Sequence, residues 1–112
     1  MPRLLLAVLL AGTVVSSDAP EISADVNGES FVVTFSPGAV WACTVFEQQT
    51  AHPDFPDGYK PMNCWILDED VSQYEDWWSF EPKDTDWLVH ARVGWTNDLD
   101  TYQATNVLTI HR

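Results

Sequence analysis

The residues of this sequence that could carry chemistry are three histidines, two cysteines and 17 acidic side chains. His52 lies in a proline-rich stretch, His90 alternates with apolar residues, and His111 is next to the last residue. No serine or cysteine stands in a nucleophile motif, and no glycine-rich segment matches a phosphate loop. Acid–base catalysis needs two carboxylates held in a pocket, which a domain of this size rarely encloses. The sequence therefore predicts a protein that is not an enzyme and uses no cofactor.

Acidic clusters at 68–70, 84–86 and 97–100 place oxygen ligands in predicted loops. Calcium takes 6–8 oxygen ligands, so at least two clusters would have to meet at one end of the fold. None of the three matches an EF-hand loop. We therefore expect no calcium site, although two clusters that met at one end could still form one.

The first residues have the layout of a secretory signal peptide. Arg3 gives a positive start, 4–11 is an apolar run, and 15–17 (Val-Ser-Ser) is a small-residue cleavage site. The apolar run is too short to span a bilayer. We expect a signal peptide at 1–17, a secreted single domain at 18–112, and no insertion into a membrane.

Charge narrows the class of partner. Without 1–17 the chain keeps four basic and 17 acidic residues, a formal net charge of −13. Such a surface repels phosphate backbones and anionic membranes, which excludes nucleic acid as the expected partner. It suits a cationic partner, a calcium-rich medium or solubility alone, and the expected partner is a basic extracellular or cell-surface protein.

The cysteines Cys43 and Cys64 are expected to form one disulfide, since the predicted compartment is oxidising. The closed loop of 21 residues would stabilise the fold by roughly 3 kcal/mol. Two buried free thiols are the alternative. A metal site has little support, because His52 is the only histidine near the pair in sequence.

Strictly alternating residues at 86–95 predict a central strand with one buried face. Trp41, Trp87 and Trp95 are all expected on the core side, with Cys43 and Val45 beside Trp41. Gln48–Pro61 is expected to be a loop. The segment 74–80 is a strand or a turn of helix. The predicted segments are Glu21–Val26, Ser30–Phe35, Val40–Glu47, Met62–Leu67, Tyr74–Phe80, Asp86–Trp95 and Tyr102–Ile110. Together they predict an all-β fold, a seven-stranded β-sandwich with one disulfide.

Three segments resemble fibronectin type III domains, members of the immunoglobulin-like superfamily. Ser30–Pro37 is similar to the B strand of that family and Thr105–Ile110 to its G strand. A third set of residues in this sequence resembles the E–F corner and F strand of the family: Phe80, Pro82, Thr85, Trp87, Val89, Ala91 and Val93. Trp87 stands where the family has a tyrosine. A Cys43–Cys64 bridge would join the third and fourth strands, unlike the B–F bridge of immunoglobulin domains.

Two stretches of the sequence are predicted to contact a partner protein. Trp77 and Trp78 are adjacent, so in a strand only one of them can face the core. The expected F–G loop holds Asn97, Asp98, Leu99, Asp100 and Thr101, and Leu99-Asp100-Thr101 resembles acidic integrin ligands. We expect one surface that combines both stretches.

The predicted function is that of a secreted single-domain protein-binding module: a soluble ligand, a receptor modulator or an adhesion accessory. The alternative is a structural subunit of an extracellular coat or matrix that assembles through edge strands. The segment 107–110 carries no charge and leaves that alternative open, whereas 22–26 carries Asp25.

Overall fold

The computed structural model describes residues 19–49, 54, 58–80 and 85–111. These residues form eight strands and no helix, so none of them belongs to a helix long and apolar enough to cross a membrane. The strands are β1 (Glu21–Ala24), β2 (Ser30–Thr34), β3 (Trp41–Gln48), β4 (Met62–Ile66), β5 (Gln73–Trp77), β6 (Asp86–Gly94), β7 (Gln103–Ala104) and β8 (Leu108–His111). The predicted signal peptide at 1–17 and most of the loop between β3 and β4 lie outside the described residues.

The strands are arranged in two antiparallel sheets. One has three strands in the order β1-β2-β5. The other has five strands in the order β4-β3-β6-β7, with β8 also paired to β6. The predicted all-β class is therefore confirmed, while the described strands number eight rather than seven, because the expected last strand is divided into β7 and β8.

Side chains explain the division between β7 and β8. The Thr105 hydroxyl accepts a hydrogen bond from the Ala91 N–H at 2.9 Å, in place of a main-chain acceptor. The Asn106 side chain turns to the other sheet, where it accepts from the Ile22 N–H and donates to the Ile22 carbonyl, both at 3.0 Å. Asn106 thus replaces a strand partner for β1 and ties the two sheets together.

The core lies between the two sheets, and β6 is its main contributor. Trp87, Val89, Ala91 and Val93 are completely buried, as the alternation of 86–95 predicts. Aromatic rings from both sheets meet them: Trp78 lies edge-on to Trp87 with ring centroids 5.0 Å apart. Such pairs contribute about 0.5–1.5 kcal/mol beyond the apolar area that they bury.

The predicted inner face of the third strand is wrong. Ala42 and Phe46 join the core cluster, so Trp41, Cys43 and Val45 point to the outer face of the five-stranded sheet. All of these side chains are buried, so β3 is buried on both faces. The prediction failed because both faces of β3 are largely apolar. Alternation of apolar and polar residues therefore does not show which face of this strand meets the core.

One buried polar pair also joins the sheets. The Thr44 and Tyr74 hydroxyls are 2.9 Å apart, and Thr44 is completely buried. Burial raises the pKa of Tyr74 well above its ordinary value. The phenol therefore stays protonated at all ordinary pH values and bridges β3 and β5 as a neutral group.

The predicted disulfide is confirmed. Cys43 and Cys64 are directly opposite each other on β3 and β4, with their Cα atoms 4.0 Å apart. The bridge therefore links neighbouring strands of one sheet and does not join the two sheets.

Candidate functional site

The turn at 97–101, between β6 and β7, is held by the side chain of Asp98. One carboxylate oxygen accepts from the Asp100 N–H at 3.0 Å, and the other accepts from the Thr101 hydroxyl at 2.7 Å. The Thr101 N–H donates to the Asp98 carbonyl at 3.1 Å. The Thr101 hydroxyl, and then the Asp100 N–H, lower the pKa of Asp98. The Asp98 carboxylate is thus used inside the turn rather than offered to a partner.

Leu99 and Asp100 form the tip of this turn. Leu99 is 68% exposed, and Asp100 is also exposed. Asn97 is exposed at the start of the turn, whereas the Thr101 hydroxyl is occupied by Asp98. Of the five predicted loop residues, Leu99 and Asp100 are therefore the ones that a partner could reach most freely.

Two tryptophans hold the base of the turn. The Trp41 Nε1–H donates to the Thr96 carbonyl at 3.0 Å, and the Trp95 Nε1–H donates to the Ser36 carbonyl at 3.2 Å. Each bond connects the turn to a strand or connection far away in sequence. The turn is therefore fixed at its base by the sheets and at its tip by its own hydrogen bonds.

Tyr102 and Arg92 extend the site onto the outer face of the sheet. The Tyr102 ring lies edge-on to Trp41 at 6.1 Å, and the Arg92 guanidinium carbon is 5.0 Å from the Tyr102 centroid. Tyr102 is 40% exposed. Sequence reasoning missed both residues, although Arg92 and Gly94 share the outer parity of β6 and could have indicated an aromatic neighbour.

The adjacent tryptophans separate as the strand geometry requires. Trp77 is 58% exposed on the outer side of the three-stranded sheet. Trp78 is partly buried and packs against Phe31, Phe46 and Trp87 at centroid distances of 5.0–6.2 Å. Trp77 is therefore the member of the pair that a partner could contact, and Trp78 belongs with the core.

The two predicted parts of the binding surface do not adjoin. Trp77 pairs with Ser30, the first residue of β2. Trp95, at the base of the turn, is bonded to Ser36, beyond the last residue of β2. Six residues of extended chain span about 20 Å. Trp77 and the turn therefore lie near opposite ends of the strands.

The described histidines and carboxylates give little support for metal binding or acid–base catalysis. Among the described residues no three His, Cys, Asp or Glu side chains are grouped so that they could hold a metal ion. His90 is half-buried on the outer face of β6, where burial, and then the Arg92 guanidinium, lower its pKa. His90 is therefore neutral at neutral pH.

The chain matches no family model, no curated protein and no solved structure. Its function therefore has to be inferred from the geometry of its own residues.

Proposed function

We propose that this chain is a secreted fibronectin type III-like domain of the immunoglobulin-like superfamily, and that it binds another extracellular or cell-surface protein. The strand order supports the fold. With β2, β6 and β7–β8 taken as strands B, F and G, β3 becomes strand C in the same sheet as F and G, and β1 and β5 become A and E beside B. The disulfide supports an oxidising compartment.

One observation carries the binding role: an exposed leucine and an exposed acid stand at the tip of a turn that is fixed at both ends. Loops held on a rigid sandwich are where such domains place recognition residues. Since the turn is already ordered, binding costs little conformational entropy there. Leu99 supplies the apolar contact and Asp100 the charge.

The net charge of the chain indicates a partner with a basic surface. Apart from the predicted signal peptide the chain carries a formal net charge of −13, so a basic surface is attracted to it over several ångströms. Arg92 lies against the Tyr102 ring, and it is not joined to Asp100 in the ion pairs of the described residues. A partner with a basic patch around an apolar pocket is the best match to this tip.

The experiment measures saturable binding of the labelled, oxidised protein to cells and extracellular matrix of its source. The variants Leu99→Ala and Asp100→Ala are each expected to weaken binding about tenfold, as truncation of a binding hot spot does. Val107→Ala and Glu75→Ala are the matched controls, since both residues are exposed away from the turn. Saturable binding that all four variants leave unchanged would refute the assignment of the turn.

Trp77→Ala tests the other predicted contact separately. A partner that covers only the turn leaves Trp77 free, because the two lie near opposite ends of the strands. Loss of binding in Trp77→Ala alone would move the contact surface to the three-stranded sheet.

A structural subunit of an extracellular coat or matrix is the second candidate, and it needs two free edges per molecule. One edge that pairs with itself produces a closed dimer and no further growth. The edge that the sequence indicated is β8, which ends at His111, where the imidazole Nδ1 is 2.8 Å from Asp86. Assembly that continues beyond a dimer as concentration rises would favour the structural role.

A further inference from the structure

β4 has one edge that no described strand pairs with. It forms one margin of the five-stranded sheet, and among the described strands it pairs only with β3. The Phe46 N–H donates to the Pro61 carbonyl at 2.9 Å, and the Leu67 N–H donates to the Val40 carbonyl at 3.0 Å. These bonds flank the strand and show that its odd-numbered residues direct their main-chain groups toward β3.

Met62, Cys64 and Ile66 therefore direct their N–H and C=O groups away from the sheet. No described residue pairs with these groups. Their side chains are on the outer face, where Met62 is 43% and Ile66 is 93% exposed. A row of unpaired main-chain groups is a template for another strand.

Neither the sequence of β4 nor the described residues around it supply the usual devices that prevent such pairing. The strand reads Met-Asn-Cys-Trp-Ile, without a charge or a proline, in a chain with 17 acidic residues. Natural edge strands are normally protected by lysine, by proline or by a covering loop. Here the nearest charges flank the strand: Lys60 on one side and Asp68 on the other.

We propose that two copies of this chain pair antiparallel through their β4 edges, about a two-fold axis at Cys64. Each Cys64 then faces the other, and Met62 of each copy faces Ile66 of the second copy. All three outward-facing residues find partners, which gives six main-chain hydrogen bonds across the axis. This inference stands apart from the proposed binding role and uses none of its residues.

The flanking charges select this register. With Cys64 on the axis, Lys60 of each copy faces Asp68 of the other. A shift of two residues in one direction would place Lys60 opposite Ile66, and in the other direction it would place Met62 opposite Asp68. Only the register centred on Cys64 therefore sets apolar against apolar and base against acid.

Lys60 is available for this contact. Its Nζ is 3.9 Å from Glu47 Oε1 within the chain, and both side chains are about half exposed. Exposed ion pairs of that length contribute little, so Lys60 can turn to an acid of the second copy at low cost.

Repulsion between two acidic copies opposes the dimer. At physiological ionic strength charges interact over about 8 Å, so most of this repulsion is screened. The interface is a single strand on each side, and it is therefore smaller than the standard specific interface. We expect a weak dimer that forms with rising protein concentration and dissociates when salt is removed.

The experiment is sedimentation equilibrium of the oxidised protein up to roughly 1 mM, a range that covers weak association. Ile66→Lys is expected to weaken the dimer at least tenfold. Val107→Lys is the matched control, because it adds the same charge at an exposed apolar residue outside β4. Equal effects of the two variants, or a monomer at every concentration, would overturn the proposal.

A charge exchange tests the register itself. Lys60→Asp makes the chain more negative and Asp68→Lys makes it less negative, yet each places like charges opposite each other in the dimer. Both single variants should weaken the dimer several-fold, and the double variant should restore it. Opposite effects of the singles, following net charge alone, would refute this register.

Amide hydrogen exchange gives a readout that needs no substitution. The N–H groups of Met62, Cys64 and Ile66 should exchange more slowly as concentration rises. The Ala24 N–H, which points away from β2 on the edge strand of the other sheet, should be unaffected. Protection of Ala24 in place of Cys64 would move the interface to β1 and contradict the proposal.

Discussion

The missing side chain of Gly94 makes room for the Trp41 indole. The two residues are opposite each other in the β3–β6 ladder. A Cβ atom built on Gly94 would collide with the Trp41 indole at Nε1, Cε2 and Cζ2. The backbone of Gly94 is not in the left-handed region, so alanine can adopt it without strain. Gly94→Ala therefore tests the position of one ring and nothing else.

The cost of Gly94→Ala can be worked out from what Trp41 would lose. The bond from its Nε1–H to Thr96 is worth about 1 kcal/mol. A buried tryptophan hides roughly 200 Å². Exposing half of that costs about 2.5 kcal/mol at 25 cal/mol per Å². Against this, glycine to alanine stabilises by about 0.4–1 kcal/mol through the unfolded chain. The net destabilisation is about 3 kcal/mol.

Urea denaturation of four proteins measures this coupling: wild type, Gly94→Ala, Trp41→Val and the double variant. In the Trp41→Val background the alanine has space, so Gly94→Ala should there stabilise by about 0.4–1 kcal/mol. The predicted result is a change of sign between the two backgrounds, with unchanged denaturant slopes. An equal cost in both backgrounds would show that Trp41 does not lie over Gly94.

Three further substitutions probe the buried polar pair, the half-buried histidine and the disulfide. Tyr74→Phe should destabilise by about 1–3 kcal/mol, because it leaves the Thr44 hydroxyl buried without its partner, and Thr44→Val in addition should recover part of the loss in urea denaturation. Burial lowers the pKa of His90 in the folded chain, so the unfolded chain binds a proton more readily. The free energy of unfolding therefore falls as the pH drops below about 6.5. His90→Gln should reduce this fall between about pH 7 and pH 5, measured by thermal melts. Replacing Cys43 and Cys64 by alanine should cost roughly 3 kcal/mol in the same urea assay, and no loss would contradict the loop-closure estimate.

The sequence predicted the fold wherever a strand has one apolar and one polar face. In β6, Val89, Ala91 and Val93 alternate with His90 and Arg92, and the burial follows this pattern. In β3 both parities are apolar, so the pattern could not show that Trp41 faces outward. The division of the last strand was equally hidden, since it depends on Asn106 reaching β1, a contact between residues 84 positions apart.

The candidate site was predictable in part. Turn-forming residues located the 97–101 loop, and adjacency showed that Trp77 and Trp78 must point in opposite directions. The sequence did not indicate that the turn is anchored by Trp41, because this needs the register of β3 against β6. The position of β4 at the margin of the described sheet was missed for the same reason: order within a sheet is set by pairing between segments far apart in the chain.

The two proposed contacts lie on different parts of the five-stranded sheet and can be separated. The turn at 97–101 leaves the sheet after β6, whereas β4 is its far margin. A dimer paired through β4 would therefore present two free copies of the turn. Binding to a densely coated surface would then gain about 10²–10⁴ from bivalency, while binding of a single partner in solution would not. Ile66→Lys should remove the bivalent gain on the coated surface and leave binding of a single partner in solution unchanged. Leu99→Ala should weaken binding in both assays. A variant pattern in which Ile66→Lys weakens solution binding as strongly as Leu99→Ala would mean that the partner itself occupies the β4 edge.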